Sequence, residues 1–246
     1  LAVTGGGSGN SASGLAAGVL GGSTNTASGS FASVGGGFGN TTSAAYTTIA
    51  GGGRSNPADA ATGNRVTDDY GSVGGGGNNR AGDASGATDD RPYATVAGGY
   101  GNVASGSYAT VAGGYGNGAA ATQATVGGGV HNSATGAQSF VGGGEGNTAS
   151  GMGAAVGGGA FNTATGTNAV VPGGAYNQAV GLYSFAAGQR AKALGSGMFV
   201  WADSQPYDWA IMQNNGFWVR ATATVDFVVA VDGTGSPTVQ CVLQQS

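Results

Sequence analysis

The chain of 246 residues is short of the residues on which most catalytic and redox chemistry depends. Its single cysteine, Cys241, excludes an intrachain disulfide. Its single histidine, His131, has no second histidine and no acid at catalytic spacing, so the serine and threonine hydroxyls lack a general base. No lysine follows the glycine-rich segments, as a phosphate-binding loop would require. We therefore expect no enzymatic activity.

Positive charge is also scarce. Seven lysine and arginine residues stand against eleven acidic residues, which gives a formal net charge of −4. Nucleic acid requires a basic stripe, and the scattered cations do not supply one. No apolar run reaches membrane-spanning length, and no signal-peptide pattern opens the chain at Leu1. We expect no nucleic-acid partner and no membrane insertion, and we expect a processed chain or a fragment.

Glycine, by contrast, is abundant, with 55 residues. It does not occupy every third position, which excludes a collagen triple helix. An asparagine returns with a period of 15 residues, and two longer intervals equal one period plus an insertion of eight. The asparagines are Asn10, Asn25, Asn40, Asn56, Asn79, Asn102, Asn117, Asn132, Asn147, Asn162 and Asn177. A short fixed period predicts stacked units that pack only on their neighbours.

Each unit begins at a valine, followed by glycines, then asparagine at the seventh position, alanine at the ninth and often glycine at the eleventh. Glycine costs about 1 kcal/mol per residue in a helix, so a helical unit is excluded. Two short strands fit the unit, such as Ala109–Val111 and Thr148–Ser150, with glycine-rich turns between them. We predict an all-β parallel β-roll or β-solenoid over residues 1–193, with about twelve rungs spaced about 4.8 Å apart.

Two columns of residues receive structural roles in this prediction. The asparagines form an amide ladder along one turn, with members Asn102, Asn117, Asn132, Asn147, Asn162 and Asn177. The valines form the core between identical chains, with members Val96, Val111, Val126, Val141, Val156 and Val171. Ordering fifteen residues costs on the order of 15 kcal/mol, whereas burial in one thin rung contributes about 2–4 kcal/mol. We therefore expect a homotrimer in which the valine faces meet around a threefold axis.

The repeat loses step within residues 57–95, where two rungs carry extra residues. Insertions in a solenoid leave as loops on one side, often the binding side. We expect recognition at four residues there, namely Arg65, Tyr70, Arg91 and Tyr93. Six acids lie in these two rungs, and their stacked carboxylates would repel one another: Asp59, Asp68, Asp69, Asp83, Asp89 and Asp90. Of these, Asp68, Asp69, Asp89 and Asp90 are the candidate cation ligands. They are either solvated, paired with Arg65, Arg80 or Arg91, or bridged by Ca²⁺, and the sequence leaves these alternatives open.

The composition changes over residues 194–246, which we interpret as a C-terminal β cap and trimerisation module. All three tryptophans lie here, at Trp201, Trp209 and Trp218. They are interpreted either as core residues or as a platform on which sugars stack. Alternation in Phe217–Thr222 and the apolar run Val225–Val231 predict antiparallel strands that cover the open end of the coil.

The units TVAGGYGNVASGSYA and FVGGGEGNTASGMGA resemble the head repeats of trimeric autotransporter adhesins, the YadA-like β-roll. They are also similar to the GGG-x-x-N-x-A-S-G repeats of bacterial and phage tail-fibre-like proteins. The segments Phe199–Ser204 and Asn215–Ala221 resemble a part of those fibres that precedes a self-cleaving chaperone, so we expect that cleavage has released this chain. The resemblance implies trimers outside the cell, on a cell surface or a virion tail fibre, without catalytic residues.

Three functions follow from these observations. The leading hypothesis is an adhesin or fibre rod that presents a binding site for a cell-surface glycan or protein. An ice-binding solenoid is the alternative, based on hydroxyl residues at the eighth and tenth positions, as in Thr148-x-Ser150 and Thr163-x-Thr165. The third is a purely structural filament in which chains assemble end to end through the N-terminal rung.

Overall fold

The computed structural model describes residues 1–54, 56, 58–59, 62–85, 87–231 and 237–244, with side chains described as far as residue 226. The chain is an all-β parallel β-solenoid with turns of about 15 residues, which confirms the predicted fold class. Fourteen strands stack in one sheet, so the coil has two turns more than the predicted twelve. At about 4.8 Å per turn, fourteen turns give a rod of about 65 Å.

Each turn contributes a short strand to two long parallel sheets. The first sheet contains β1 (Val3–Thr4), β3 (Gly18–Val19), β5 (Ser33–Val34), β7 (Thr48–Ile49), β9 (Ser72–Val73), β11 (Thr95–Val96), β13 (Thr110–Val111), β15 (Thr125–Val126), β17 (Phe140–Val141), β19 (Ala155–Val156), β21 (Val170–Val171), β23 (Phe185–Gly188), β25 (Phe199–Ala202) and β27 (Phe217–Arg220). Neighbouring strands pair in register, as when Val96 lies opposite Val111.

The second sheet runs along the opposite side of the core. It contains β2 (Ser11–Ala12), β4 (Thr26–Ala27), β6 (Thr41–Thr42), β8 (Arg65–Val66), β10 (Arg80–Ala81), β12 (Val103–Ala104), β14 (Gly118–Ala119), β16 (Ser133–Ala134), β18 (Thr148–Ala149), β20 (Thr163–Ala164), β22 (Gln178–Ala179), β24 (Ala191–Ala193) and β26 (Trp209–Ile211). Single-residue bridges, such as Tyr100 with Tyr115, form a third and narrower ladder at the glycine-rich corner.

The core of the coil consists of valines from the first sheet and small residues from the second. Val111 and Ala119 are both 0% exposed within a single chain. The prediction that Val96, Val111, Val126, Val141, Val156 and Val171 form the core between identical chains is therefore wrong, because all six are fully buried inside their own coil. The reason is geometric: the second sheet closes over the valines, so one chain suffices to remove them from water.

A column of buried asparagines lines the corner between the two sheets. The side-chain oxygen of Asn132 accepts the backbone N–H of Asn147 one turn later, at 2.9 Å. The Nδ2 of Asn132 donates to the carbonyls of Gly128 and Gly144, both at 2.8 Å. The ladder therefore joins each side chain mainly to the backbone of neighbouring turns, and direct bonds between side-chain amides join Asn25 to Asn10 and Asn177 to Asn162. Its members from the predicted set, Asn102, Asn117, Asn132, Asn147, Asn162 and Asn177, are 0–1% exposed.

Glycine is required where neighbouring turns approach most closely. Gly129 has a φ of +86°, and a Cβ on it would collide with the carbonyl of Gly144. A Cβ on Gly136 would meet the carbonyl of Gly151 in the same way. These two positions leave no room for a side chain, because the peptide groups of neighbouring turns stack closely there.

The coil continues beyond the boundary predicted at residue 193. Strands β25 and β27 pair in parallel, with Phe199 opposite Phe217 and Ala202 opposite Arg220. The antiparallel strand predicted over Phe217–Thr222 is therefore wrong, because its residues extend the first sheet by one more turn. Strands β28 (Thr224–Val231) and β29 (Pro237–Gln244) pair with each other in antiparallel fashion. The role of this hairpin as a cap, and the trimerisation role of residues 194–246, stay predictions.

Replacing Asn132 by alanine tests the asparagine column. The backbone N–H of Asn147 and the carbonyls of Gly128 and Gly144 each lose a hydrogen bond inside the coil. We expect a loss of about 2–4 kcal/mol in the free energy of unfolding, measured by chemical denaturation. Asn56→Ala is the matched control, because the described hydrogen bonds of Asn56 are local to the loop, with the N–H of Ala58 among their partners. Equal stabilities for the two variants would contradict this account.

Candidate functional site

The two insertions leave the coil at different corners. The asparagine column passes from Asn40 to Asn64 and then to Asn79, so Asn64 and not Asn56 is its member. The first insertion therefore lies between Gly53, which still bridges Phe38, and Asn64. The second insertion lies between Ala81 and Tyr93. Residues 67–70, which lie within the range 57–95 where the sequence predicts the insertions, form a regular turn instead.

A column of five aromatic rings follows one corner of the coil across both insertions. Its members are Phe31, Tyr46, Tyr70, Tyr93 and Tyr108. Successive ring centroids are 4.8–5.0 Å apart, and the rings are within 13° of parallel. All five residues are about half-exposed, at 43–55%. The structure thus brings together Tyr70 and Tyr93, which the sequence predicts as binding residues, and adds three members that the sequence analysis missed.

The backbone conformation at this corner places the rings in line. Tyr70 and Tyr93 have φ values of +58° and +64°, and the other members lie close to these values. A left-handed conformation costs a non-glycine residue about 1–2 kcal/mol, which stacking between neighbouring rings offsets. Partial burial, followed by the neighbouring Tyr93 and Tyr46, raises the pKa of Tyr70. The phenol of Tyr70 is therefore a neutral hydrogen-bonding group at ordinary pH.

A column of hydroxyl side chains runs beside the aromatic column on the outward face of the first sheet. Its members are Ser33, Thr48, Ser72, Thr95, Thr110 and Thr125, which lie opposite one another in register. The Oγ of Ser72 and the Oγ1 of Thr95 are 3.2 Å apart. Two residues further along each turn stand small residues, among them Gly74, Ala97 and Ala112. The result is a flat surface that carries hydroxyl groups at the spacing of the turns.

The second insertion folds over an acidic cluster. Carboxylate oxygens of Asp68, Asp83 and Asp90 lie within 4.8 Å of one another. The predicted cation site contained Asp68, Asp69, Asp89 and Asp90, and the structure changes its membership. Asp69 lies outside the cluster because its Oδ1 accepts the N–H of Ala45. The three clustered carboxylates are the residues that could hold Ca²⁺ in the described part of the chain, and Ca²⁺ binding stays a prediction.

The repulsion within this cluster is reduced without a metal ion. Burial, and then the charges of Asp83, Asp90 and Asp69, raise the pKa of Asp68 to about 6, although the N–H of Asp83 donates to its Oδ2. A proton on Asp68 therefore removes one negative charge in mildly acidic solution. The Nε of Arg91 lies 3.6 Å from Oδ2 of Asp83. The predicted pairing of these acids with an arginine is thus present at Arg91.

The remaining predicted arginine, Arg65, lies elsewhere. It belongs to β8 in the second sheet, where it stands opposite Arg80. The aromatic column instead borders the first sheet, so Arg65 does not form a common site with Tyr70 and Tyr93. The sequence placed these residues together only because they are neighbours along the chain.

The three tryptophans do not form a common platform. Trp209 and Trp218 are partly buried and pack against the core, whereas Trp201 points outward and is 38% exposed. Arg220 lies over the ring of Trp209, with its Cζ 5.8 Å from the ring centroid. A shallow depression beside Trp201 is lined by Gln189, Asp203 and Ser204, among others. The interpretation as core residues therefore holds for two of the three.

An ion pair fastens the last turns of the coil. The Nε of Arg220 donates to Oδ1 of Asp203 at 2.9 Å, and both side chains are 13% exposed. Arg220 also donates to the carbonyls of Tyr207 and Gln205, at 2.7 and 3.2 Å. Burial opposes ionisation of Asp203, but hydrogen bonds from Thr222, Arg220 and Gln205 lower its pKa below the ordinary value. The long segment between β25 and β26 is held by this pair.

The fold and its repeat define the chain as a β-solenoid repeat protein. The sequence matches no protein-family model, and no curated protein is significantly similar to it. Among the described residues, no helix is long and apolar enough to cross a membrane.

The raised pKa of Asp68 predicts a pH-dependent stability. A raised pKa in the folded state contributes stability that is fully present below the unfolded value of 3.8 and is lost as the pH rises through about 6. Asp68→Asn removes this ionisation, so the variant should gain on the order of 1–3 kcal/mol relative to the native chain between pH 4 and pH 7.5. Chemical denaturation at both pH values measures it. Asp89→Asn, an exposed loop carboxylate outside the cluster, is the control, and an equal gain there would contradict the assignment.

The Arg220–Asp203 pair predicts that removing the Arg220 side chain lowers the stability of the coil. Arg220→Ala removes the cation beside Asp203 and the hydrogen bonds to the carbonyls of Tyr207 and Gln205, so we expect a clearly larger loss in the free energy of unfolding than in the control. Arg190→Ala is the control, because the pair of Arg190 with Asp208 is more exposed, with side-chain exposures of 35% and 54%. That control should lose about 1 kcal/mol or less. A loss for Arg220→Ala no larger than for the control, measured by urea denaturation, would refute the role of the pair.

Proposed function

We propose that the chain is a structural rod of an extracellular fibre or adhesin, which associates with identical copies and presents a surface-binding site. The observation that carries the proposal is the outward face of the first sheet. In all fourteen of its strands, which the structure describes throughout, no outward position carries a charged side chain. A long face without charge is what an interface between copies requires, because identical faces then meet without repulsion between like charges.

The C-terminal part of this face is apolar. Its outward residues are Phe140, Ala155, Val170, Pro172, Phe185, Ala187, Phe199, Trp201, Phe217 and Val219. Phe185, Phe199 and Phe217 stack at 4.7 and 4.8 Å between centroids, and Phe217 is 63% exposed. Parallel sheets normally have both faces covered, and large exposed apolar patches mark interaction sites. We place the contact between copies here, over residues 140–219.

In this proposal the apolar face over residues 140–219, and not the buried valines, forms the contact between copies in a homotrimer. The resemblance of the repeats to trimeric adhesin heads and tail-fibre-like proteins supports three copies, and it supports a location at a cell surface or on a virion. The hydroxyl-bearing part of the face, over residues 33–125, remains hydrated in this proposal because burying unpaired hydroxyls is costly. End-to-end assembly at the N-terminal rung is compatible with a rod of this kind.

The ice-binding alternative receives less support from the described surface. On the second sheet the outward hydroxyl column is interrupted by Arg65, Arg80, Val103 and Gly118. Long cationic side chains rising above the sheet prevent the flat hydroxyl lattice that ice recognition needs. We therefore keep the fibre or adhesin role as the proposed function.

Charging the apolar face tests the association. Phe140 and Phe217 are 44% and 63% exposed, so Phe140→Glu with Phe217→Glu should leave the single coil folded. We expect the double variant to be monomeric in sedimentation and light scattering while its circular dichroism is unchanged. Ser133→Glu with Gln178→Glu, three turns apart on the outward face of the second sheet, is the matched control and should keep the native mass. A native chain that is monomeric, or a charged apolar face that keeps the native mass, would overturn the proposal.

A further inference from the structure

Five successive turns combine three surface columns into one strip. Each contributes an aromatic ring, then an outward hydroxyl, then an outward glycine or alanine, in residues 31–35, 46–50, 70–74, 93–97 and 108–112. We name this surface the aromatic–hydroxyl strip. Both insertions interrupt the sequence of the strip, yet its rings and hydroxyls stay in contact across them: Tyr70 stacks on Tyr93, and Ser72 hydrogen-bonds Thr95.

The strip is a hydrogen-bonding surface and not a stacking platform. Tyr46, Tyr70 and Tyr93 each have both ring faces covered by neighbours in the column. The exposed part of each ring is therefore its edge and its phenol group. Phenol and aliphatic hydroxyls both donate and accept hydrogen bonds, so the strip offers two parallel rows of such groups.

The shape and charge of the strip restrict what it can bind. Its three columns contain no charged residue, and the small third column, as at Gly74 and Ala97, leaves a shelf beside the hydroxyls. A neutral partner therefore suits it better than a polyanion, whose affinity depends on cationic contacts. Its length, four steps of about 4.8 Å, requires a straight partner that repeats at the same spacing.

The spacing separates the classes of extended polymer. Along a peptide strand, side chains on one face repeat at about 6.6 Å, and a polyproline helix rises about 3.1 Å per residue. Both lose register with the strip within two steps. In a straight β-1,4-linked glycan each sugar advances the chain by close to the turn spacing, with alternate sugars turned over, and each unit carries hydroxyls that donate and accept. The hydroxyls of Ser72, Thr95 and Thr110, on successive turns, would then meet successive sugars.

We propose that the aromatic–hydroxyl strip is a binding site for a straight, uncharged β-1,4-linked glycan that lies parallel to the axis of the coil. The proposal rests on the proposed function, because it names the ligand class of the surface-binding site that the rod presents. The site lies on turns separate from residues 140–219, so one chain carries it whole.

The test uses calorimetric binding of cellohexaose and chitohexaose to the full chain. The variant changes Tyr46, Tyr70, Tyr93 and Tyr108 to phenylalanine, which removes four phenol groups and keeps the stack, since Phe31 already fits the column. We expect binding to weaken about tenfold or more. Phe31→Tyr extends the row by one phenol and should tighten binding. Tyr115→Phe with Tyr176→Phe, at the other corner of the coil, is the matched control and should bind as the native chain does.

A second variant removes hydroxyl groups from the threonine and serine row of the strip. Thr48→Val, Thr95→Val and Thr110→Val keep the branched shape that suits a strand and remove three hydroxyls, so binding should weaken again. Maltohexaose, whose α-linked chain coils and does not repeat in a straight line, should bind weakly or not at all. Binding of either β-linked oligosaccharide that is unchanged in both the phenylalanine and the valine variants overturns the proposal.

The Phe140→Glu, Phe217→Glu variant separates this inference from the proposed association. If it is monomeric and still binds cellohexaose, both ideas stand. If the native chain is monomeric but binds through the strip, the association fails and the binding site stands. No binding of either β-linked oligosaccharide by the native chain overturns the inference, whatever its mass. Thermal hysteresis that is lost in the valine variant would assign the strip to ice and would also overturn it.

Discussion

The whole coil depends on how its corners satisfy buried backbone groups without water. At each turn the chain reverses direction in an interior too narrow for any large side chain, and peptide groups there would otherwise lack partners. A single asparagine resolves this: Asn117, for example, donates to Gly113 and Gly129 and accepts the N–H of Asn132. The same proximity excludes a Cβ at the adjacent glycine positions. Asparagine and glycine therefore form one structural requirement, repeated along the column from Asn10 to Asn177.

In-register stacking turns every surface position into a column of neighbours about 4.8 Å apart. An aromatic residue then stacks on its equivalents, as Tyr46 does on Tyr70. A charged residue in such a column lies next to a residue of the same charge, as Arg65 does opposite Arg80. Like charges at that spacing destabilise the fold, which accounts for a charged content of only 7%. Where acids do stack, at Asp68 and Asp83, a raised pKa and a nearby arginine lower the repulsion.

The period alone predicts the fold, because two strands and two tight turns are all that 15 glycine-rich residues accommodate. The direction of the valines was not predictable from the period, since it depends on whether the second sheet closes over the first. The choice of Asn64 over Asn56 in the asparagine column was predictable in principle. Asn56 precedes Pro57, which has no N–H for a ladder bond, whereas Asn64 precedes Arg65 and Val66 in the pattern of a strand. The acidic cluster depends on how the second insertion folds, which no spacing reveals.

The aromatic column could have been found in the sequence, because one aromatic residue recurs in each of five turns. The insertions hide this recurrence, since they make its spacing irregular. From Tyr46 to Tyr70 to Tyr93 the spacing is irregular in sequence, because each insertion adds residues between two members. In space the rings remain 5.0 and 4.8 Å apart, because the strands cannot lose register without exposing the core. The coil therefore accepts additional residues only at its corners. Its surface columns pass through the insertions unbroken, so a continuous strip and two variable loops exist side by side on one rod.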